Sequence, residues 1–382
     1  MSDWLSIMGL LSATGGWGPY DLTALAPPES FDSPPVVNWS IRLPGPRLSS
    51  ATHTEPGQPL IYGGEIFVGS AREDALVVID RTNGTVLRRY PASAPVHGAP
   101  VVSGEQIYFA DSGGATWCYD LDNVDQSRWR HDSGAPILSP VTLDGGRVFV
   151  ANVDNSVYAL EAQTGALVWR HGHRLDPARE VELSLYGAPA PVPHDDTVIV
   201  GFSDGALLAL RADDGTPVWS RRVGEGLYPD IIAAPVVRGE EIIASGFMEP
   251  MIALDSEHQM VRWRHDFGGP SRAVESGGRI AHGGGDGVLR AIDSVTGDVI
   301  WEWDSKTESA LTSPVMTSAG WLVGAAAGTV SLIDGEDGTL LWHYDPGYFL
   351  AGVSSAPAVD GHQAVVLTNA GNLISFVVPV ER

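Results

Sequence analysis

The pattern of apolar and polar positions along the chain repeats at intervals of about 40 residues. Each unit has two apolar residues, an acidic or polar residue, a turn that usually holds glycine, and then a tryptophan. Examples are Ala159-Leu160-Glu161 before Trp169 and Ala291-Ile292-Asp293 before Trp301. The tryptophan position falls at residues 88, 129, 169, 219, 263, 301 and 342, with arginine in its place at 88. This period is typical of a four-stranded propeller blade and is longer than a leucine-rich or ankyrin repeat.

Four short strands can be placed in each unit. Most units open with Ala/Ser-Pro and small or β-branched residues, as in Ala99-Pro100-Val101-Val102. We place this segment at the start of the innermost strand, because a strand's first residue need not donate to the hydrogen-bond ladder. A second strand such as Arg147-Val148-Phe149-Val150 follows, a third ends in the Ala-Leu-Asp element, and the fourth carries the tryptophan. Glycine before the fourth strand supplies the positive φ that a short hairpin requires.

The number of units predicts a closed ring. Seven full units precede residue 348, and an eighth, from Ala356 to Val380, has at most three strands. The run from Val36 to Ile41 supplies an isolated strand that would complete the eighth blade and remove the exposed edges of an open array. The sequence therefore predicts an all-β, eight-bladed β-propeller of four-stranded blades, with seven blades as the alternative. Tryptophans are expected to seal blade onto blade. They are Trp39, Trp129, Trp169, Trp219, Trp263, Trp301 and Trp342.

The chain divides into an N-terminal arm, residues 1–35, and one propeller domain, residues 36–382. The arm contains Gly15-Gly16 and two Pro-Pro pairs, so it is expected to be flexible or loosely packed. Its short apolar stretch from Trp4 to Leu11 follows Asp3 rather than a basic residue, which is a poor match to a secretory signal. No run reaches the ~18–20 apolar residues of a transmembrane helix, so no direct membrane span is predicted. No cysteine near the start could carry a lipid anchor.

Composition narrows the classes of function. Hydrophobic residues make up 43% of the 382 residues and charged residues 18%, which allows a large core. The formal net charge is −24, and a field of this sign repels nucleic acid, so we expect no nucleic-acid partner. Cys118 is the only cysteine, which excludes an internal disulfide and a thiolate metal cluster. It lies in a strand-like run and is expected to be a small buried hydrophobe.

The Ala-Leu-Asp-x-x-Thr-Gly-x-x-x-Trp element resembles the repeat of pyrroloquinoline-quinone-type propellers. That superfamily includes quinoprotein alcohol dehydrogenases and the BamB family of outer-membrane protein assembly factors. The resemblance covers nearly the whole chain, from Val36 to Val380. It is specific for the fold and only weakly specific for function, because one propeller architecture hosts many activities.

One insert makes the chain similar to the assembly factors in particular. Between the third and fourth blades the spacing widens to 50 residues, and the insert ends in Leu183-Ser184-Leu185-Tyr186-Gly187-Ala188-Pro189. This run resembles the BamB segment Leu-Ser-Leu-Arg-Gly-x-x-Pro, whose leucines and arginine help to dock the periplasmic repeats of the barrel insertase. Asp230 opens a run that resembles the family's Asp-x-Asp-Thr-Thr-Pro loop. The resemblance implies that Leu183, Leu185 and Asp230 bind that partner.

Two departures affect this docking interpretation. Tyr186 stands where the family has arginine, and Ile232 stands where it has a second acidic residue. A charged contact between that arginine and that acid would therefore be absent in this chain. Tyr186 remains a position of interest for partner binding.

The sequence holds no recognisable catalytic set. It lacks a Gly-x-Ser-x-Gly elbow, a P-loop and a His-Glu-x-x-His motif. A quinoprotein dehydrogenase would need a Ca²⁺ site and a catalytic aspartate, and no calcium loop is evident. The close pair His171-Gly172-His173 lacks a third metal ligand, so a solvated loop is expected there. We therefore expect no catalytic residue, no cofactor and no metal.

The face loops and the channel mouth remain as binding surface. The sequence therefore predicts a non-enzymatic protein-binding scaffold, monomeric outside its complex, whose suspected partner is the periplasmic repeats of an outer-membrane barrel insertase. That partner implies a periplasmic or outer-membrane-associated location, with the cytoplasm as the alternative. A soluble sensor or ligand-binding propeller with an unrelated partner is the second hypothesis, and a quinone-cofactor dehydrogenase is the third. Strand addition to a partner's edge is a second docking mode.

Overall fold

The computed structural model of the protein describes residues 34–43, 57–174, 188–224, 229–247, 250–257, 260–346 and 352–379. Within these ranges the chain forms eight four-stranded antiparallel sheets. No described segment is a helix with the length and hydropathy needed to span a bilayer. The predicted N-terminal arm, apart from its last two residues, lies outside the described residues.

The strands fall into eight blades in chain order, apart from the first strand. Strand β1 is Val36–Arg42. Blade 1 contains β2 (Leu60–Tyr62), β3 (Glu65–Gly69), β4 (Ala75–Asp80) and β5 (Val86–Pro91). Blade 2 contains β6 (Val101–Ser103), β7 (Gln106–Ala110), β8 (Ala115–Asp120) and β9 (Trp129–Asp132). Blade 3 contains β10 (Thr142–Asp144), β11 (Arg147–Asn152), β12 (Ser156–Glu161) and β13 (Leu167–Gly172). Blade 4 contains β14 (Val192–His194), β15 (Thr197–Gly201), β16 (Ala206–Arg211) and β17 (Pro217–Arg222).

The second half of the ring repeats this arrangement. Blade 5 contains β18 (Val236–Arg238), β19 (Glu241–Ser245), β20 (Met251–Asp255) and β21 (Val261–His265). Blade 6 contains β22 (Val274–Ser276), β23 (Arg279–Gly283), β24 (Val288–Asp293) and β25 (Val299–Asp304). Blade 7 contains β26 (Val315–Thr317), β27 (Gly320–Gly324), β28 (Val330–Ile333) and β29 (Leu340–Tyr344). Blade 8 contains β30 (Ala358–Asp360), β31 (Gln363–Leu367) and β32 (Asn372–Val377), completed by β1.

The first strand of each blade lies at the inner edge of its sheet and the fourth at the outer edge. Strands pair in chain order within blades 1 to 7, and the first strands of neighbouring blades contact one another, as β10 does with β14. The inner strands therefore surround the central channel. The eight-bladed ring predicted from the repeat is confirmed, and the alternative of seven blades is wrong.

Strand β1 closes the ring from the opposite end of the chain. It runs antiparallel to β32, with Val36 opposite Val377 and Arg42 opposite Asn372. The ladder continues past the strand, because the Leu43 amide donates to the Gly371 carbonyl at 2.8 Å. The predicted pairing of the N-terminal strand with the C-terminal unit is confirmed.

The apolar core lies between neighbouring blades rather than at one centre. In the cluster between blades 2 and 3, Tyr108 and Cys118 pack against Val148 and Tyr158. Cys118 is fully buried, and burial raises the pKa of its thiol to about 11. A thiol in this state is protonated at neutral pH, which agrees with a packing role for this cysteine.

The tryptophan of one blade reaches the backbone of the next. The Nε1 atoms of Trp129 and Trp169 donate to the carbonyls of Ala162 and Ala212, at 2.8 and 2.9 Å. The acceptor directly follows the residue that ends the third strand of the next blade. This hydrogen bond satisfies the one polar atom of a buried indole. The same contact recurs at two more seams, as we call the junctions between neighbouring blades. Nε1 of Trp39 donates to the carbonyl of Arg81 at 3.0 Å, and Nε1 of Trp301 donates to the carbonyl of Gly335 at 3.3 Å.

Glycine in the facing turn lets this indole pack closely. Gly165 has a φ of +70°, and a Cβ atom placed on it would lie 2.5 Å from the ring of Trp129. Gly215 stands in the same relation to Trp169, also at 2.5 Å. A side chain at either position would meet both an unfavourable backbone conformation and the indole ring.

Arg88 takes the place of tryptophan in blade 1 and makes the same contact between blades. Its Nη2 atom donates to the carbonyl of Leu121 at 3.1 Å, the position that corresponds to Ala162 in the next blade. The guanidinium also forms a bidentate ion pair with Glu65, with one branch at 2.8 Å. A planar guanidinium thus replaces an indole, with the added requirement for an acidic partner.

The blade turns divide the ring into two faces. The turn face carries the hairpins between first and second strands and the turns between third and fourth strands. The loop face carries the hairpins between second and third strands and the connections between blades. Acidic residues recur in the third-to-fourth turns, so the turn face is rich in carboxylates. These include Asp80, Asp120, Glu161, Asp213, Asp255, Asp293 and Asp334.

Candidate partner-binding site

The residues that the sequence singles out for partner binding belong to two connections beside blade 4. Leu183, Leu185 and Tyr186 belong to residues 175–187, which lie outside the described residues, between β13 and β14. Asp230 lies in the connection between β17 and β18, on the loop face. Both connections therefore flank the same blade.

Asp230 is fully buried, which differs from the direct partner contact expected from the sequence. Its backbone carbonyl accepts a hydrogen bond from the Phe247 amide at 2.9 Å. Ile232, at the family's second acidic position, is half-buried. Asp230 is thus packed inside this connection, and its backbone ties the connection to Phe247.

The hairpin 202–205 between β15 and β16 contacts both connections. On one side, the Ile231 amide donates to the carbonyl of Phe202 at 3.2 Å, and Ile231 is fully buried. On the other side, Nε2 of His173 lies 3.0 Å from Oδ2 of Asp204, and the imidazole stacks on Phe202 with ring centroids 4.3 Å apart. This hairpin therefore links the two connections that carry the predicted partner residues.

His173 corrects the expectation of a solvated loop at His171-Gly172-His173. Its side chain is only 15% exposed, and its amide donates to the carbonyl of Asn155 at 2.9 Å. Asn155 has a φ of +57°, and its Oδ1 accepts hydrogen bonds from both the amide and the hydroxyl of Ser203. The sequence places His173 in a close pair of histidines but gives no sign that Phe202 and Asp204 of the next blade contact it.

The pair of His173 and Asp204 is a titratable contact at the junction of blades 3 and 4. Among the described residues, no group of three or more histidine, cysteine, aspartate or glutamate side chains is placed to hold a metal ion. His173 and Asp204 form a pair without a third ligand, and Phe202 covers one side of the imidazole. The pair therefore serves to fix the end of β13 against blade 4.

Acid is expected to weaken the pair of His173 and Asp204. Burial acts to raise the pKa of Asp204, but the hydrogen bond and charge of His173 outweigh it and hold the pKa below 3.8, the ordinary value. The folded carboxyl thus has a lower pKa than the unfolded one, so its contribution is complete above about pH 4 and is lost as the pH falls through the folded pKa. Denaturant unfolding of the wild type and Asp204→Asn across this range measures the contribution.

At neutral pH the wild type should exceed Asp204→Asn in free energy of unfolding by about 1–3 kcal/mol. The difference should shrink below about pH 4. A difference that stays constant down to the acid limit of folding would show that the pair contributes nothing through its ionised carboxylate.

Comparison with known proteins places this propeller in a family. The family model described as "Outer membrane protein assembly factor BamB" matches residues 37–127, 124–272 and 252–378. The chain belongs to the BamB family. The resemblance seen in the repeat is therefore confirmed. BamB of Burkholderia pseudomallei (strain K96243) is 27% identical over 256 residues, covering 65% of this chain and 65% of that protein. BamB of Yersinia pestis is 25% identical over 293 residues, covering 74% and 72%.

Solved structures agree on the architecture. The structure of BamB from Moraxella catarrhalis superposes with a TM-score of 0.74 at 19% identity, covering 90% of this chain and 99% of that chain. A quinohemoprotein alcohol dehydrogenase from Pseudomonas putida HK5 superposes with a TM-score of 0.70 at 14% identity, covering 91% and 78%. At these identities the superpositions show the fold alone, because the same propeller serves an assembly factor and a dehydrogenase.

Proposed function

We propose that the protein is a non-enzymatic scaffold that binds the periplasmic repeats of an outer-membrane barrel insertase. It would work in the periplasm or at the outer membrane. Membership of the BamB family carries the proposal, because relatives across the length of the propeller are named as outer-membrane protein assembly factors. The alignments cover about two thirds to three quarters of these relatives, so their assembly role comes to this chain as a proposal.

The docking surface of this proposal is the loop face beside blade 4. Leu183, Leu185 and Tyr186 supply apolar and aromatic contacts, while Asp230 holds the neighbouring connection in place. The hairpin 202–205 supports this division of roles, since it contacts both connections. Aromatic and aliphatic anchors of this kind carry most of the binding energy in protein interfaces. Tyr186 replaces the family's arginine, so docking depends on apolar contacts more than on a charged pair.

Binding of the purified propeller to the purified periplasmic repeats of its host's insertase tests the proposal. We expect micromolar or tighter binding by the wild type, and at least about a tenfold loss in a Leu183→Asp/Leu185→Asp variant. The matched control is Leu167→Asp/Val168→Asp. These residues are 50% and 39% exposed on the outer edge of blade 3, so the control adds the same charge outside the docking surface.

Three outcomes separate the alternatives. Loss of binding in the first variant alone supports both the function and the surface. Equal loss of binding in both variants would contradict the proposal that the loop face beside blade 4 is the docking surface. Absence of binding by a folded wild type would overturn the function and move the sensor or ligand-binding hypothesis to first place.

The residues do not fit the cofactor of the dehydrogenase relatives. Cys118 is a single buried thiol rather than a vicinal pair, and the described residues form no acidic group that could hold Ca²⁺. No catalytic step through this cofactor is proposed for the chain. Addition of pyrroloquinoline quinone and Ca²⁺ to the purified protein should give no change in cofactor absorbance and no reduction of an acceptor dye.

A further inference from the structure

A cleft of about 630 Å³ opens on the turn face between blades 2 and 3. Its walls are the hairpin 103–106 of blade 2 and the hairpin 143–146 of blade 3, and Tyr108 lies at its base. The volume falls within the range of about 300–1,000 Å³ that is common for ligand sites. The cleft lies on the face opposite to the proposed docking surface, so its occupant is a separate question.

A bridge that long side chains make at other blade junctions is missing at this cleft. In blade 3 the first residue of the second strand, Arg147, reaches across and donates to the carbonyl of Ala212 at 2.6 Å. In blade 6 the equivalent residue, Arg279, donates to the carbonyl of Gly335 at 2.9 Å. These long side chains fill the space between neighbouring blades at the turn face.

Gln106 holds the equivalent position in blade 2 and leaves the seam open. Its Oε1 accepts a hydrogen bond from the Tyr108 hydroxyl, and its Nε2 makes only a long contact of 3.4 Å with Oε1 of Gln163. The Ala162 carbonyl, which corresponds to the acceptors at the other blade junctions, accepts a hydrogen bond from Trp129, while Gln106 is turned to Tyr108 and Gln163. The two hairpins therefore stand apart, with amide groups between them.

The walls of the cleft carry an excess of negative charge. Glu105 on the blade 2 hairpin and Asp144 on the blade 3 hairpin are exposed, and neither forms an ion pair with any residue that the structure describes. Asp120 also lines the cleft and pairs with Arg128 at 2.9 Å, so the one cation of the lining is already neutralised. A cationic ligand would meet two carboxylates that have no competing partner.

The hairpins also leave room for a polypeptide backbone. Gly104, Gly145 and Gly146 form the two turns, and a Cβ atom on any of them would meet nothing within 4 Å. The backbone of both turns is therefore uncovered at the rim of the cleft. The walls therefore combine hydrogen-bonding groups with open space.

We propose that this cleft binds an arginine or lysine side chain from an extended basic segment of a partner protein. Charge complementarity favours this occupant, because exposed carboxylates on both hairpins line the cleft and the surrounding turn face is rich in acidic residues. Such a field steers cationic partners towards the cleft. An arginine would donate from its planar fork to one or both free carboxylates, a geometry that gives specificity as well as affinity. The segment's backbone would hydrogen-bond to the glutamine amides.

Fluorescence anisotropy with a labelled Gly-Arg-Gly-Arg-Gly peptide tests the proposal, with Gly-Gln-Gly-Gln-Gly as the neutral probe. The cleft variant is Glu105→Gln/Asp144→Asn, which keeps the size of both side chains. The matched control is Glu240→Gln/Asp298→Asn, which removes the same charge from exposed positions of the turn face in blades 5 and 6. We expect the cleft variant to bind the arginine peptide roughly tenfold more weakly and the control to stay within about twofold of the wild type.

The remaining outcomes overturn the proposal. Equal loss in both variants would mean that the peptide responds to the overall field of the face and not to the cleft. Binding of spermine as tight as that of the arginine peptide, with full competition, would identify a site for free cations instead. Absence of binding of the arginine peptide by folded wild-type protein at low salt would remove the site. None of these results bears on insertase binding by the loop face, which can fail or succeed separately.

Discussion

A variant that lacks residues 1–42 is expected to lose its cooperative thermal unfolding and to aggregate, whereas one that lacks only residues 1–33 should keep both properties. The longer deletion removes β1 and leaves the last strand of blade 8 as an open edge, which pairs readily with other chains. It also removes Trp39 and Ile41 from the apolar cluster that joins blade 8 to blade 1. A fully buried side chain of this kind contributes about 1.5–3 kcal/mol, and these two contribute part of that because they are partly buried.

Circular dichroism melts and size-exclusion chromatography of the two deletion variants measure this effect. The shorter deletion is the matched control, since it removes the predicted arm except for its last two residues and keeps every residue of β1. Equal melting midpoints and monodisperse elution for both variants would show that the ring holds together without its closing strand.

The substitution Gly165→Ala is expected to lower the free energy of unfolding by about 3 kcal/mol or more. Gly165 has a φ of +70°, where alanine costs about 1 kcal/mol for the backbone alone. The added methyl group would also lie 2.5 Å from the ring of Trp129, so the indole must move away from its packing position against blade 3. The packing between blades 2 and 3 and the hydrogen bond to Ala162 would both suffer.

The substitution Gly63→Ala separates the cost of the backbone conformation from the cost of the contact with the indole ring. Gly63 has a φ of +59°, and a Cβ atom there meets nothing within 4 Å, so this variant carries the backbone cost alone. Its loss in denaturant unfolding should stay near about 1 kcal/mol. If both variants lose the same amount, the contact between glycine and indole contributes nothing to the joining of blades.

The fold could be predicted because the residues that make it recur at fixed positions. Glycine before the fourth strand and tryptophan within it are two halves of one contact between blades, as Gly165 and Trp129 show. Because the same contact is made between many pairs of neighbouring blades, the same residue types recur at the same spacing in the sequence. The closing strand could be found for the same reason, since Trp39 marks a fourth strand without the three that precede it.

The site could be predicted only in part, because its features break the repeat. The pairing of His173 with Asp204 depends on a hairpin from the next blade. The residues around Asp230 in the sequence single it out as a site residue. Its burial could not be predicted from them, because it depends on how the connection between blades 4 and 5 packs. The cleft at Gln106 could not be predicted from the sequence for a further reason. Whether the Gln106 side chain bridges two blades depends on which groups its amide hydrogen-bonds to in the folded protein.

The closure of blade 8 by β1 also determines the order in which the blades can be completed during synthesis of the protein. Strand β1 leaves the ribosome before the strands of blades 1 to 7, and its partner β32 leaves after them. Blades 1 to 7 can form as their own strands appear, but Trp39 must wait for β32 before it has a complete sheet. Synthesis at about 5–20 residues per second makes this a wait of many seconds. A chain cut short before Val377 would therefore keep a permanently open edge, which chaperones and proteases can recognise.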